Sequence, residues 1–392
     1  MISIPGFQFS SVYSGVKKSG KKDLALIFSE TPAKAAAVFT TNIVKAAPVI
    51  LGQERIKQGL CQAIIVNSGI ANAFTGTAGY QNAVQTTKDI SASLGIEESL
   101  IIPSSTGLIG GPLPVSKIKK AIPNLISKLG PKGFEEAAKA IMTTDKFPKF
   151  AYRKIKVGKK EGTIAAIGKG AGMICPNMAT MLCFIVTDIN INKTTLKKAL
   201  VNSVDNSFNK IIVDGDTSTN DSVIILSNGA LGNNEITLKS SHYNKFEKVL
   251  TELNTEIAEL IVKDGEGATK VVKIDVQGAR TVKEAEKIAR CIGNSQLVKT
   301  AFFGQDPNWG RILAAAGRAG VLFNPDKVEM FFDDKRVIKN GTQFQAESKF
   351  APVFKKPKFT VTLKLKEGKA SSYVVTSDLS HEYVSVNSDY RT

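Results

Sequence analysis

Arginine, cysteine and histidine are scarce in this sequence, and each scarcity argues against a class of site. Only eight of the 52 basic residues are arginine, so lysines spread along the chain carry the net charge of +17. Arginine is the residue that reads base edges and phosphates in bidentate fashion. Its scarcity, without any aromatic stacking motif, makes a nucleic-acid-binding protein the weaker interpretation. A net positive field still attracts small anionic substrates.

The four cysteines and two histidines fit neither a zinc site nor a disulfide framework. No two cysteines are spaced as C-x-x-C, and only His242 and His381 could complete a cluster. We therefore expect no metal and a reducing compartment, the cytoplasm. The first residues contain no basic segment followed by an apolar one, so no secretory signal is expected. Neither histidine lies in a pattern typical of a catalytic triad.

Residues 170–187 form a charge-free stretch long enough to be considered as a membrane span. Gly170, Gly172, Pro176 and Asn177 interrupt it, which makes a lipid-facing helix unfavourable. We predict a buried loop and strand there, and no membrane association. The chain also lacks a dinucleotide-binding or P-loop fingerprint.

Apolar strands and amphipathic helices alternate along the chain, which predicts an α/β or α+β fold with helices layered around sheet. The clearest helix is 246–261, where apolar residues recur every three or four positions. The Gly-rich segment 104–111 is interpreted as a loop. The predicted strands are 23–29, 36–40, 62–67, 99–103, 152–157, 162–167, 222–227, 270–276, 297–303, 327–332, 359–365 and 372–376. Further helices are predicted at 115–129, 133–142, 193–209 and 282–291.

Three segments of small residues are candidates for chemistry, and each also has an ordinary structural interpretation. KGAGMICPNMATML at 169–182 surrounds Thr180 and is either a reactive segment or a buried strand. SSTGLIGG at 104–111 either offers backbone N–H groups to an oxyanion or forms a tight turn. DGEGATK at 264–270 presents Glu266 either to a ligand's amine or to solvent.

A threonine at a new N-terminus can act as a nucleophile without a histidine. Its α-amine has an ordinary pKa of ~7.7–8.0, so it can take the proton from its own Oγ1. The threonine hydroxyl can make the required backbone cut by an N-to-O acyl shift. Small residues before Thr180, such as Ala179, leave room for that rearrangement.

Taken together, the motifs resemble the ornithine acetyltransferase family, the bifunctional glutamate N-acetyltransferases of arginine biosynthesis. The resemblance covers essentially the whole chain and follows the family's order. The matching motifs are DLALIFSE, AAAVFTTN, STGLIG, IMTTDKFPK, KGAGMICPNMATML, DGEGATK, FGQDPNWGRI and VNSDYRT. One departure is NSGIAN at 67–72, where the family commonly has NSGNAN, so that Ile70 replaces a polar residue.

The resemblance implies a fold and a cleavage site. The fold is an N-terminal-nucleophile-like layered sandwich of sheets and helices, shared by two self-cleaved chains, with a smaller C-terminal region. Cleavage between Ala179 and Thr180 would give an α chain, 1–179, and a β chain, 180–392, with a softer boundary near 270–280 inside the β chain.

The site residues are likewise implied by the resemblance. Thr180 would be the nucleophile, and Thr106 and Gly107 would form the oxyanion hole. The implied substrate contacts are Thr143, Lys169, Thr180, Glu266, Asn387 and Thr392. Cys175 and Cys183 flank Thr180 and are interpreted as small buried hydrophobic residues.

The implied activity is acetyl transfer from N2-acetyl-L-ornithine to L-glutamate through an acetyl-Thr180 intermediate. It would follow ping-pong kinetics, need no cofactor and occur in an α2β2 heterotetramer. The motifs leave open whether acetyl-CoA is an additional donor. One alternative is a self-cleaving aminopeptidase or amidohydrolase in which water discharges the acyl-enzyme. A basic nucleic-acid-binding protein is the second alternative.

Overall fold

A computed structural model describes residues 2–174 and 181–389, which form two β-sheets with helices between and outside them. The mixed α/β class predicted from the sequence is confirmed. The strands are β1 (Phe7–Val12), β2 (Leu24–Phe39), β3 (Leu60–Ile70), β4 (Ile101–Leu108), β5 (Lys149–Val157), β6 (Lys160–Lys169), β7 (Leu182–Thr187), β8 (Ile211–Ile212), β9 (Ser222–Ser227), β10 (Val271–Ala279), β11 (Glu329–Phe332), β12 (Lys335–Lys339), β13 (Thr342–Gln343), β14 (Lys358–Lys364) and β15 (Ala370–Ser377). The α-helices are α1 (Ala47–Arg55), α2 (Gly76–Leu94), α3 (Val115–Ser127), α4 (Phe134–Ala140), α5 (Lys193–Asp205), α6 (Tyr243–Lys263), α7 (Val282–Gly293), α8 (Gln296–Phe303), α9 (Trp309–Gly317), α10 (Ala351–Phe354) and α11 (His381–Asp389).

The first sheet has the order β4-β3-β2-β9-β7-β6-β5, and β1 pairs with the first part of β2. Its strands come from both sides of residues 175–180, since β1–β6 precede them and β7 and β9 follow them. β7 lies between β6, to which it is antiparallel, and β9, to which it is parallel. All six residues of β7 and of β9 are buried, as expected for strands covered on both faces.

Helices α5 and α6 form a layer between the two sheets. The apolar face predicted for 246–261 packs there, with Leu253, Ile257 and Ile261 fully buried against side chains of β5, β6 and β7. The same cluster includes Val271 of β10 and Val375 of β15, so α6 contacts the second sheet as well. Helices α2 and α3 cover another part of the first sheet, beside β1, β3 and β4.

The second sheet has the order β13-β12-β11-β14-β10-β15-β8 and is built wholly from residues after 181. Its outer face packs against α7, α8, α9 and α10. The ring of Phe354 contacts the rings of Phe332 and Phe359 in that core, each at a centroid distance of 4.8 Å. Apart from β8, the strands of this sheet lie between residues 271 and 377.

Three local predictions were wrong. The segment 297–303 was predicted as a strand, but it lies in α8, where Val298 and Phe302 are buried four residues apart and Leu297 is exposed. Short apolar runs cannot be assigned by periodicity alone. The strands predicted at 23–29 and 36–40 are one strand, β2, which changes register between Phe28 and Ala33.

The third correction concerns the segment 104–111, which was predicted as a loop. Its first half belongs to β4, which continues to Leu108 because it pairs in parallel with β3 as far as Ile70. Within residues 2–174 and 181–389, no helix is long and apolar enough to cross a bilayer.

Candidate active site

A cavity of about 220 Å³ lies where the first sheet, the end of α6 and the helix α11 meet. Six of the predicted site residues line it: Thr106, Gly107, Thr143, Lys169, Glu266 and Asn387. Met181 and Leu182, at the start of β7, line it as well. The predicted residues Ala179, Thr180 and Thr392, and also Cys175, lie outside the described residues.

Thr106 and Gly107 reach the cavity because β4 runs past a pair of facing glycines. Gly69 of β3 pairs with Gly107, and both have positive φ angles, +118° and +124°. A Cβ atom on Gly107 would lie 2.3 Å from the carbonyl carbon of Gly69, so only glycine fits this approach. The two strands therefore come unusually close at the position of the predicted oxyanion hole.

Lys169 ends β6 and directs its ammonium group at two threonines. Its Nζ donates to Thr143 Oγ1 at 2.7 Å and to Thr106 Oγ1 at 3.2 Å. Because Thr106 Oγ1 accepts from a cation, its own O–H is left to donate, which suits an oxyanion hole. Burial lowers the pKa of Lys169, and the carboxylate of Asp145, 3.9 Å away, opposes that shift.

A fully buried group of charged side chains lies next to Lys169. Lys149 Nζ lies 2.7 Å from Asp145 Oδ1 and 2.5 Å from Asp264 Oδ2. Asp145 also accepts from the backbone N–H groups of Thr143 and Gly170, both at 2.8 Å. Burial by itself would raise the pKa of Asp145, but Lys169 and Lys149 together hold it below the ordinary carboxyl value. The group thus fixes the backbone of Gly170, which follows Lys169, and of Thr143, which accepts from the Lys169 ammonium group.

Glu266 follows α6 and lines the cavity. Its backbone N–H donates to Ala171 O at 2.9 Å, and its Oε2 accepts from Asn387 Nδ2 at 2.9 Å. Gly172 passes so close that a Cβ there would lie 2.4 Å from Glu266 Oε2. Asn387 comes from α11, so the last described helix contributes directly to the cavity wall.

Comparison with known proteins agrees with this arrangement of motifs. The ArgJ family profile matches residues 8–392. The chain belongs to the ArgJ family. The arginine biosynthesis bifunctional protein ArgJ of Geobacter sulfurreducens is 49% identical over 393 residues, covering 100% of both chains. The protein of the same name from Syntrophotalea carbinolica is 46% identical over 394 residues, again covering 100% of both.

A solved structure extends the comparison. The crystal structure of arginine biosynthesis bifunctional protein ArgJ from Bacillus halodurans is 34% identical, with a TM-score of 0.52. The match includes 100% of that solved chain and 54% of this chain. The ArgJ family resemblance inferred from the motifs is therefore confirmed.

The acidic loop 214–221, DGDTSTND, also lines the cavity and was not predicted from the sequence. Asp214 accepts from the backbone N–H groups of Met173 and Ile174, both at 2.6 Å. Asn220 donates to Ala71 O at 2.6 Å and to Ser105 O at 2.8 Å, which fixes the residue before Thr106. Three aspartates between two apolar strands, Asp214, Asp216 and Asp221, are the sequence feature that could have indicated this loop as part of the site.

Tyr383 is a second lining residue that the sequence did not single out. It lies on α11 beside Asn387, and its pKa is raised by burial and by the nearby carboxylates of Asp214 and Glu266. A tyrosine held in its neutral form can donate a hydrogen bond into the cavity.

Ile70, the departure from the family pattern, lies beside the oxyanion strand. Its backbone pairs with Thr106 and Leu108, and its half-buried side chain packs on the apolar cluster under α2 and α3. The substitution therefore adds an apolar contact next to the cavity.

Cys183 is fully buried, as predicted, and burial raises the pKa of its thiol.

Proposed function

We propose that this protein transfers an acetyl group from N2-acetyl-L-ornithine to L-glutamate, giving ornithine and N-acetylglutamate in arginine biosynthesis. The acetyl group is carried on Thr180 between the two half-reactions. One observation carries the proposal: Met181, which is bonded to Thr180, lines the same cavity as Thr106, Lys169 and Glu266. The names of the ArgJ relatives support the same pathway.

The charges around the cavity suit an amino-acid substrate. Lys169 can bind the α-carboxylate of either substrate, in place of part of its present hydrogen bonding to Thr143 and Thr106. Glu266, which lines the same cavity, can bind the δ-ammonium group of acetylornithine. Glutamate has no such ammonium group, so Glu266 distinguishes donor from acceptor. A volume of about 220 Å³ suits one amino-acid derivative rather than a drug-sized ligand.

In the first half-reaction Thr180 Oγ1 attacks the acetyl carbonyl and its proton passes to the Thr180 α-amine. Thr106 and Gly107 stabilise the resulting oxyanion, a contribution of about 3–4 kcal/mol per donor at comparable sites. The C–N bond then breaks, and the proton moves from the ammonium to the departing amine of ornithine. Glutamate enters and its neutral amine attacks the ester carbonyl. The proton of that amine passes to the Thr180 α-amine and from there to Oγ1 as the C–O bond breaks, which releases N-acetylglutamate and free Thr180.

Self-cleavage before Thr180 is part of the proposal because the mechanism needs a free α-amine. The solved Bacillus halodurans chain is matched over its full length by 54% of this chain. Residues 180–392, the expected β chain, make up the same share of the 392 residues. A solved chain of that length is what cleavage of a relative would produce, which supports a cut at Ala179–Thr180.

Intact-mass measurement with N-terminal sequencing tests the cleavage. We expect two fragments, the second beginning with Thr180, Met181 and Leu182, and a single uncut chain for the variant Thr180→Ala. Initial rates against both substrates then test the transfer. Parallel double-reciprocal lines are expected, whereas intersecting lines, or acetate release without glutamate acetylation, would refute the double displacement.

Several finer properties belong to the same proposal. The reaction as written needs neither a metal nor an organic cofactor, since nucleophile, base and oxyanion donors all come from the chain. Acetyl-CoA is an additional donor if glutamate acetylation releases free CoA, and the word bifunctional in the relatives' names favours that assay. We also propose an α2β2 heterotetramer in the cytoplasm, which sizing of the cleaved protein and cell fractionation would test.

A further inference from the structure

Asn220 is an uncharged member of the acidic loop 214–221, and the proposed mechanism does not use it. It lines the cavity, and only 6% of the residue is exposed. Its Nδ2 donates to Ala71 O at 2.6 Å and to Ser105 O at 2.8 Å, and its Oδ1 accepts from Thr219 Oγ1 at 2.6 Å. Both amide hydrogens are thus engaged, so neither is left to donate to a substrate.

The two carbonyl groups that Asn220 binds lie next to the predicted oxyanion hole, residues 106–107. Ser105 immediately precedes the hole on β4, and Ala71 follows the last residue of β3. Ala71 N–H in turn donates to Leu108 O at 2.9 Å, and Leu108 immediately follows the hole. Asn220 and Ala71 therefore connect the residue before the hole to the residue after it.

Gly107 needs such contacts because glycine has the least restricted backbone of all residues. Its φ angle is +124°, and it has no side chain that could limit its rotation. An oxyanion donor contributes most when it is already directed at the developing charge. The orientation of this strand therefore has to be set by its neighbours. The peptide plane between Ser105 and Thr106 includes Ser105 O, so a bond to this oxygen fixes the plane that leads to Thr106.

A second asparagine fixes Ser105 through its side chain. Ser105 Oγ donates to Asn67 Oδ1 at 2.6 Å, and Asn67 Nδ2 donates to Ile70 O at 2.8 Å. Asn67 and Ile70 belong to β3, whereas Asn220 belongs to the loop before β9, which follows residues 175–180 in the chain. Through Asn220, a loop from the later part of the chain thus holds the strand that carries the oxyanion hole.

We propose that Asn220 is a positioning residue for the oxyanion hole. Its amide holds Ser105 O and Ala71 O, so that the hole is directed at the substrate carbonyl before the reaction begins. The inference rests on the proposed function. Asn220 acts in both half-reactions, because the same hole stabilises the intermediate formed with acetylornithine and the one formed with glutamate.

The test compares the initial rates of Asn220→Ala with those of wild type. Alanine removes both donors and adds neither charge nor bulk. We expect kcat to fall by about tenfold or more, with KM for each substrate within about threefold of wild type. The fall in kcat/KM should be the same for acetylornithine and glutamate. A raised KM for one substrate at unchanged kcat would mean that Asn220 binds that substrate, and would overturn the inference.

Asn233→Ala is the matched control. Asn233 is 8% exposed, its Nδ2 donates to Asn190 O at 3.2 Å and to Asn234 O at 2.7 Å, and its Oδ1 accepts from Asn190 N–H at 2.8 Å. It makes the same kinds of hydrogen bond as Asn220, but it does not line the cavity. Both variants should unfold at lower urea concentration than wild type, whereas kcat of Asn233→Ala should stay within about threefold of wild type. An equal fall in kcat for the two variants would overturn the inference.

Thr219→Val is the milder variant, and it decides the question if Asn220→Ala does not fold or is not cleaved. It keeps both amide donors but removes the hydroxyl that donates to Asn220 Oδ1. The amide is then held less firmly, so kcat should fall by about fivefold at unchanged KM. In that case, full kcat in Thr219→Val would overturn the inference. If wild type itself stays uncut or transfers no acetyl group, the proposed function fails instead.

Discussion

Replacing Gly107 with alanine tests the close approach of β3 and β4 beside the cavity. The new Cβ would lie 2.3 Å from the carbonyl carbon of Gly69, whereas ordinary contacts begin at 3.4 Å. The three nearest atoms all belong to the backbone of Gly69, so the strands must separate by about 1 Å to reach an ordinary contact distance. The φ angle of +124° adds strain of about 1–3 kcal/mol for a residue with a Cβ.

Gly95→Ala supplies the control for that strain. Gly95 ends α2 with a φ angle of +67°, and a Cβ there would meet no atom within 4 Å. The free energy of unfolding of Gly95→Ala should fall by only about 1–2 kcal/mol, the cost of a left-handed backbone for a residue with a Cβ, and its activity should be unchanged. Gly107→Ala should lose at least about 1 kcal/mol more, since strand separation adds to the backbone strain.

Urea unfolding measures the stability difference, and kcat measures the site. Displacing an oxyanion donor lowers kcat by about 100- to 1,000-fold at comparable sites, and we expect that range for Gly107→Ala. Equal stability losses for the two variants, with kcat for Gly107→Ala within threefold of wild type, would refute the argument from the facing glycines.

Three further predictions address charge. Lys149→Met should lower the free energy of unfolding in urea by about 3–5 kcal/mol, because it leaves two buried carboxylates without their shared cation; a loss under 1 kcal/mol would contradict the buried ion pairs. The pKa of Asp145 is lower in the folded protein than in the unfolded chain, where it is near ~4. The resulting stabilisation is complete above that unfolded pKa and is lost as the pH falls below it. The free energy of unfolding of Asp145→Asn should therefore depend less steeply on pH than that of wild type below about pH 4. Glu266→Gln should raise KM for acetylornithine more than KM for glutamate, and equal increases would argue against a role in binding the δ-ammonium group.

Periodicity predicted the elements that carry a long one-sided pattern. The helix predicted at 246–261 is present in α6, and 222–227 coincides with β9. Periodicity failed at 297–303, where seven residues are too few to separate two turns of helix from a buried strand. It also failed at 104–108, because what makes this segment a strand is pairing with β3, a partner about 40 residues earlier in the chain.

For the candidate site, too, some residues were predicted from the sequence and others were not. Motif resemblance located Lys169 and Glu266, and the structure places both on one cavity. The buried charges behind Lys169 were not predicted, because the ion pair of Lys149 with Asp264 joins residues 115 positions apart.

The first sheet also explains how a chain cut before Thr180 could remain one protein. Two of its pairings join a strand from 1–179 to a strand from 180–392. In one, β6 is antiparallel to β7 from Ile164 opposite Thr187 to Lys169 opposite Leu182. In the other, β2 is antiparallel to β9 from Lys34 opposite Ser227 to Phe39 opposite Ser222. A cut in the connection between β6 and β7 breaks neither ladder. The two fragments should therefore copurify in native buffer and separate only in denaturant, and their separation without denaturant would mean that these pairings do not hold the cleaved protein together.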